Sequence, residues 1–456
     1  MPPFLLPEAP IRSLDEYLKT EVGGEGIKRA QEQGPAQTIG EITRSGLRGR
    51  GGGGFPTGRK WSSIAANEGT RYLVVNGAEG EPGTFKDRAL MRANPYQLVE
   101  GIVIAAFAIG AQEAFIGIKA TFTQETERVT QAIEEMQRAG ICSECKVTIV
   151  HGPEEYLFGE EKALLEVIEG KPPLPRLFPP YEHGLFATDI VTGWQPTEGV
   201  PAPNPTLVNN VETLSNVPWI MARGAEWYRS MGTDQSSGNV VATVVGDVVG
   251  PDVGEVELGS SLQAVIDAVG SGVAPGRTVK AVFSGVANPV VTDTSIPVSY
   301  EGFAAAGSGM GAAGFIVYDD TACMVEVARQ FSRFLYVESC GQCTPCKQGS
   351  GEMTTRLERI EAGTGDVQDV GVLRYWIERV TDGNRCYLAV EERAIVASIL
   401  QAFPEEFEEH IALGHCPRPR PIPLPLIADL GGGRVVYDDK HYRKQPDWTY
   451  LPAADT

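Results

Sequence analysis

The stretch Glu338-Ser339-Cys340-Gly341-Gln342-Cys343-Thr344-Pro345-Cys346-Lys347 sets three cysteines within seven residues, at a repeated spacing of three. Three thiolates that close, separated by small residues, suit three corners of a cuboidal iron–sulfur cluster. The fourth corner needs a thiolate from elsewhere, and Cys386 is available after a helical stretch. A structural zinc site usually takes two separated Cys or His pairs, and no second pair lies near this run. A disulfide framework is disfavoured by eight cysteines spread over 456 residues, with no secretory leader expected. The expectation is a 4Fe–4S cluster, one-electron traffic and a reducing, intracellular compartment.

The rest of the chain bounds the setting. Its formal charge of −20 argues against nucleic acid and against an anionic membrane surface. The longest apolar run, Ile102 to Ala111, is too short to span a bilayer, so direct membrane insertion is not expected. Hydrophobic residues at 42% supply material for two to four folded domains.

Alternation of strands and helices dominates the first half. Tyr72-Leu73-Val74-Val75-Asn76, Glu113 to Lys119 and Lys146 to His151 read as strands. Leu98 to Gly110 and Thr123 to Ala139 read as helices, which together predict an α/β domain with a largely parallel sheet. Residues 171–206 are proline-dense and read as a long ordered loop or an insertion over a site. Short Val-rich runs in 238–300 predict a compact α+β unit, and 350–412 predict a helical one. The resulting division is a lead-in at 1–45, an α/β domain at 46–237, a β-rich domain at 238–320, a helical cysteine domain at 321–416 and an extended tail at 417–456. Met1 to Pro10 reads as an extended arm.

Four further features carry chemistry. In Leu47-Arg48-Gly49-Arg50-Gly51-Gly52-Gly53-Gly54-Phe55-Pro56-Thr57-Gly58, consecutive glycines let backbone N–H groups approach an anion or a flat ring. Glu41 to Leu47 does not look like a buried strand, so the spacing alone does not make a dinucleotide fingerprint. Asn76-Gly77-Ala78-Glu79-Gly80-Glu81-Pro82-Gly83 follows a strand, at the edge where α/β sheets bind ligands. Its plainer reading is a solvated acidic turn. Gly159-Glu160-Glu161-Lys162 opens a helix, where acidic residues also complement the dipole. Val208-Asn209-Asn210-Val211-Glu212-Thr213 offers paired amides, which also serve as helix caps. Cys142 and Cys145 form a lone Cys-x-x-Cys that reads as incidental.

In combination and order, these pieces resemble the NADH-oxidising flavoprotein subunit of respiratory complex I and its relatives in NAD-linked hydrogenases and formate dehydrogenases. The resemblance runs from about Ser45 to Pro417. It implies a Rossmann-like FMN domain, a small β-grasp domain of ubiquitin-like topology and a C-terminal helical bundle carrying the cluster. It implies FMN against Gly49, Arg50, Gly51, Gly52, Gly53, Lys60, Asn76, Glu79, Gly159, Glu160, Glu161, Asn209, Asn210 and Thr213. NADH would stack over the flavin beside Phe55, Glu81 and Tyr181. Cys340, Cys343, Cys346 and Cys386 would hold the cluster, whereas Cys416 matches a family position that is not a ligand. No side chain is implied as an acid or base, because NADH passes a hydride to FMN and FMN passes single electrons to the cluster. The implied partners are a small 2Fe–2S subunit and a larger iron–sulfur subunit, in a cytoplasmic assembly peripheral to the membrane.

The chain departs from the family pattern at Ala78, Ser63, Phe178 and Lys162, where the family has Asp, an aromatic residue, Lys and Thr. Ala187 to Pro203 looks inserted beyond the nucleotide pocket. Ala78, Phe178 and Ser63 motivate an alternative, a paralogue with a degraded nicotinamide pocket whose FMN exchanges electrons with another redox subunit or donor. A non-catalytic scaffold is a third reading, opposed by full retention of the glycine loop.

Overall fold

The computed structural model describes residues 3–188, 191–192, 195–196 and 202–446. Its first sheet is parallel throughout, in the order Lys146–Gly152, Glu113–Lys119, Tyr72–Asn76 and Thr206–Asn210. Asn76 pairs with Gly117 on one side and Asn210 on the other, so the strand ends carrying the expected ligand residues lie side by side. Leu73, Val74 and Val75 are fully buried, as a sheet covered on both faces requires. The helix Pro95–Ile109 is buried along nearly its whole length. Gly101 lets it meet the chain at Leu214, because a Cβ there would stand 2.1 Å from the Leu214 carbonyl oxygen.

Three lead-in helices, Leu14–Tyr17, Glu25–Gln33 and Pro35–Ser45, pack onto this core. The preceding arm is anchored and bent rather than extended: the consecutive N–H groups of Phe4, Leu5 and Leu6 all converge on Glu255 Oε2. Met1 and Pro2 lie outside the described residues.

A second sheet has the order Asp252–Glu257, Asn239–Gly246, Gly314–Asp319 and Val279–Ser284. Its central pair is parallel and its outer pairs are antiparallel. The helix Leu262–Gly270 fills one face with Leu262, Val265 and Ile266. The Gly314–Asp319 strand, wholly buried, lies beyond the Val-rich stretch that suggested this unit and supplies its centre.

The helices Met324–Glu338, Thr344–Glu361, Val367–Ile377, Leu388–Ala402 and Pro404–Leu413 form the helical region around Phe331, Leu335, Met353 and Ile395. The tail corrects its expected form. It folds back as a hairpin of Ile427–Gly431 and Arg434–Tyr437, and Ile422, Leu424, Ile427 and Leu430 are buried in the helical core. Lys444 and His441 then reach Glu338, at 2.7 Å and 3.1 Å. Burial alone would raise the Glu338 carboxyl, but these two partners hold it down at about 2. The tail residues 447–456 and much of Ala187 to Pro203 lie outside the described residues. Within that stretch, Val191–Thr192 and Gln195–Pro196 pair as a short antiparallel ladder.

Candidate functional site

A cavity of about 200 Å³ opens at the carboxyl ends of the parallel strands. Gly51, Asn76, Glu79, Glu81, Gly159, Glu160 and Asn210 line it, which gathers residues from all four non-cysteine features. Asn76 donates from Nδ2 to the Gly159 carbonyl at 2.6 Å, tying the strand end to the short helical turn Tyr156–Gly159. Glu160 accepts the N–H groups of Lys162 and Ala163 and so caps the helix Glu161–Ile168.

Other expected residues stand behind or beside this wall. Arg50 is 1% exposed and points away from the cavity. Its guanidinium donates to the Tyr228 and Tyr300 hydroxyls and to the carbonyls of Ser237 and Asn239. Its backbone N–H donates to Thr213 Oγ1 at 2.8 Å. Arg50 and Thr213 therefore fix the glycine loop's path. Gly49 donates to the Phe55 carbonyl at 2.8 Å, closing that loop. Asn209 accepts the Trp61 indole N–H at 2.8 Å, and Lys60 pairs with Glu161 at 3.0 Å. Phe55 and Tyr181 are about half exposed and do not line the cavity.

Several wall residues carry no sequence signal of their own. Lys86 is buried and bonds Asp87 at 2.8 Å, Glu212 at 2.8 Å and Asn210 at 3.2 Å. Tyr156 donates its hydroxyl to Glu81, and Glu391 from the helical region lies within hydrogen-bonding distance of the same hydroxyl. Burial and the neighbouring Asp87 push the Glu79 carboxyl up to about 7, against the pull of Lys86. Burial likewise pushes Glu160 up to about 7, and Glu391 is raised further by burial and by Glu81. The cavity is thus lined by carboxyl groups that burial makes easier to protonate than a solvated carboxylate.

The residues fit a flat, phosphate-bearing group. A Cβ at Gly52 or Gly53 would meet no protein atom within 4 Å, so the absent side chains leave open room beside the loop. At Gly51 a Cβ would stand 3.1 Å from Asn210 Cβ, which narrows that position to glycine or a slight shift.

A second, smaller cavity is enclosed by Cys340, Cys343, Cys346 and Cys386 together. Cys340 and Cys343 lie in the turn before the helix Thr344–Glu361, Cys346 in its first turn, and Cys386 just before Leu388–Ala402. No three of these thiols converge within 4.8 Å, the closeness that picks out a single-ion site elsewhere among the described residues. Four thiols around one shared space match the ligand count of a cuboidal iron–sulfur cluster. Burial pushes the Cys346 thiol up to about 12, so a cationic centre is what would hold it as a thiolate. Cys142 and Cys145 instead sit in the first hydrophobic core, where burial pushes their thiols to about 11 and about 12.

The departures from the family pattern also have positions. Ala78 is buried on the wall of the larger cavity. Ser63 is exposed on the helix Thr57–Ala66, and Phe178 is half exposed beside His183. Lys162 donates to the carbonyl of Arg385, adjacent to Cys386.

No described helix is long and apolar enough to cross a membrane. The Nuo51 FMN-binding domain matches residues 42–219, and the NADH-ubiquinone oxidoreductase-F iron-sulfur binding region matches residues 326–410. The chain is 38% identical over 419 residues to the F subunit of the NADH-quinone oxidoreductase of Streptomyces coelicolor, covering 89% of each. It is 34% identical over 429 residues to the HndC subunit of the NADP-reducing hydrogenase of Solidesulfovibrio fructosivorans, covering 91% of this chain and 83% of that one. Its fold is similar to a chain of the NAD+-reducing [NiFe]-hydrogenase in the H2-reduced state, with TM-score 0.74 and 32% identity. That likeness covers 89% of this chain and 66% of the hydrogenase chain. The chain belongs to the family of NADH-quinone oxidoreductase F subunits, with an FMN-binding domain and a 4Fe–4S binding region.

Proposed function

We propose that this chain is the electron-input component of a multi-subunit oxidoreductase, taking a hydride from NADH at the sheet-edge cavity and passing electrons singly through the four-cysteine cavity. FMN bound in the first cavity supplies a ring that accepts two electrons together and releases them one at a time. Gly51, Asn76, Gly159 and Asn210 are the residues that would hold it, on a loop fixed by Arg50. Phe55, Glu81 and Tyr181 are assigned to the nucleotide. The electrons leave to a small 2Fe–2S subunit and a larger iron–sulfur subunit, with the chain peripheral to the membrane.

One observation carries this reading: Leu388 lines both cavities, so the two proposed cofactor sites adjoin one another. Anaerobic mixing of the purified flavin- and iron-loaded protein with NADH tests it. Rapid bleaching of the flavin, followed by a reduced-cluster signal in electron paramagnetic resonance, is the expected result. A flavin that NADH leaves oxidised overturns NADH as donor.

Phe178 favours a second reading. The resemblance implies a cation there, yet the residue is a half-exposed apolar ring. A weaker grip on an anionic dinucleotide would leave the flavin to exchange electrons with another redox subunit. In that case NADH fails to bleach the flavin, while a reduced iron–sulfur partner reduces it.

A further inference from the structure

Two cysteines and a histidine outside the iron–sulfur centre meet where the helical region closes. Cys323 caps the helix Met324–Glu338, with its Sγ accepting the Glu326 N–H at 3.4 Å. His410 lies in the last turn of Pro404–Leu413, and Cys416 follows that helix. One ligand atom from each lies within 4.8 Å of the other two. Among the described residues, no other three Cys, His, Asp or Glu side chains converge in this way.

The histidine is already oriented. Its Nδ1 is 2.6 Å from the Glu406 carbonyl oxygen, which can only accept, so Nδ1 carries the proton. Nε2 is left with its lone pair toward Cys323 Sγ, 3.4 Å away. A ring N–H donated to a backbone carbonyl is the usual outer support of a metal-bound imidazole. The Glu406 carboxylate is committed elsewhere, to the Met324 N–H at 2.9 Å, the Lys280 ammonium and Arg418 at 3.7 Å. The free donor set is therefore two sulfurs and one nitrogen. Thiolates and imidazole select zinc-class ions, and the lack of a free carboxylate disfavours magnesium and calcium.

We propose that Cys323, His410 and Cys416 hold one tetrahedral zinc-class divalent ion, distinct from the iron–sulfur centre, that clasps the first helix of this region to the last. Cys323 and His410 are buried, at 1% and 0% exposure, while Cys416 is partly exposed and gives the ion a way in. A water completes the fourth position. Binding exchanges two thiol protons for one dication, so the two thiolates and the ion balance in charge.

Elemental analysis of the flavin- and iron-loaded protein from zinc-replete cells tests this. One zinc per chain beyond the cluster iron is expected. X-ray absorption at the zinc edge should show two sulfurs at about 2.3 Å and one nitrogen at about 2.0–2.1 Å. Cys416→Ser and His410→Gln should each lower zinc retention against a chelator at least tenfold, with iron and flavin content unchanged. Should these variants fail to accumulate, the wild type decides through cobalt: uptake of one Co(II) with thiolate-to-cobalt absorption supports the site. The proposal is overturned if the wild type neither contains zinc nor takes up added zinc or cobalt. It is equally overturned if Cys416→Ser retains zinc fully, or if anaerobically prepared protein carries a Cys323–Cys416 disulfide.

Discussion

Leu388 stands two residues beyond Cys386 and forms a wall of both the sheet-edge cavity and the four-cysteine cavity. The same short segment therefore carries one of the four cysteines proposed to hold the cluster and a residue shared by both cavities. Cys386→Ser should separate their functions. Bound iron should fall well below the wild-type content, while flavin content and its bleaching by NADH persist. Iron and flavin assays on one preparation check this, and joint loss of both would contradict it.

Arg50 anchors the glycine loop through contacts on its far side, to Tyr228, Tyr300 and two carbonyls. Arg50→Met removes a fully buried guanidinium and leaves those acceptors unpaired. The expected loss of stability is on the order of 3 kcal/mol. Flavin affinity should fall with it, because the loop loses its fixed path. Denaturant unfolding of the flavin-free protein and flavin titration measure the two effects.

Glu160 makes stability depend on pH in a defined window. Its folded-state carboxyl is pushed up from 4.5 to about 7 by burial. The folded protein therefore holds a proton that the unfolded chain has already released. The stability this contributes is complete below about pH 4.5 and is lost as pH rises through about 7. Glu160→Gln in the flavin-free protein should flatten the decline between pH 5 and 7, with a relative gain on the order of 1–3 kcal/mol at pH 8. Melting curves across that range give the slope.

Lys162 places an ammonium on the carbonyl of Arg385, next to Cys386, one of the four cysteines proposed to hold the cluster. Positive charge there favours the reduced, more negative cluster. Lys162→Met should lower the cluster's midpoint potential by several tens of millivolts, on the order of 1 kcal/mol at an effective dielectric of ~20. Redox titration followed by electron paramagnetic resonance reads it directly, and an unchanged potential would show that solvent screens the charge.

How much of this was legible in the sequence depends on how local the signal is. The strands at Tyr72 and Glu113 have the expected limits, because a buried parallel strand writes its own apolar run. The cysteine run is equally local. Lys86, Tyr156 and Glu391 were illegible as site residues, because each is a single polar residue in its own segment and only the tertiary fold brings them to one wall. The resemblance implied Arg50 at the flavin, and nothing local reveals that its guanidinium turns inward to Tyr228 and Tyr300. The tail carried a readable sign: in Pro421-Ile422-Pro423-Leu424-Pro425-Leu426, alternate positions are apolar, the period of an extended chain with one buried face. The prolines drew attention to extension and away from burial.

The clamp of His441 and Lys444 on Glu338 spans 103 and 106 residues of sequence. During synthesis, the helix that leads into Cys340 emerges long before the segment that locks it. The nascent helical region therefore waits, incomplete, until translation has passed Lys444.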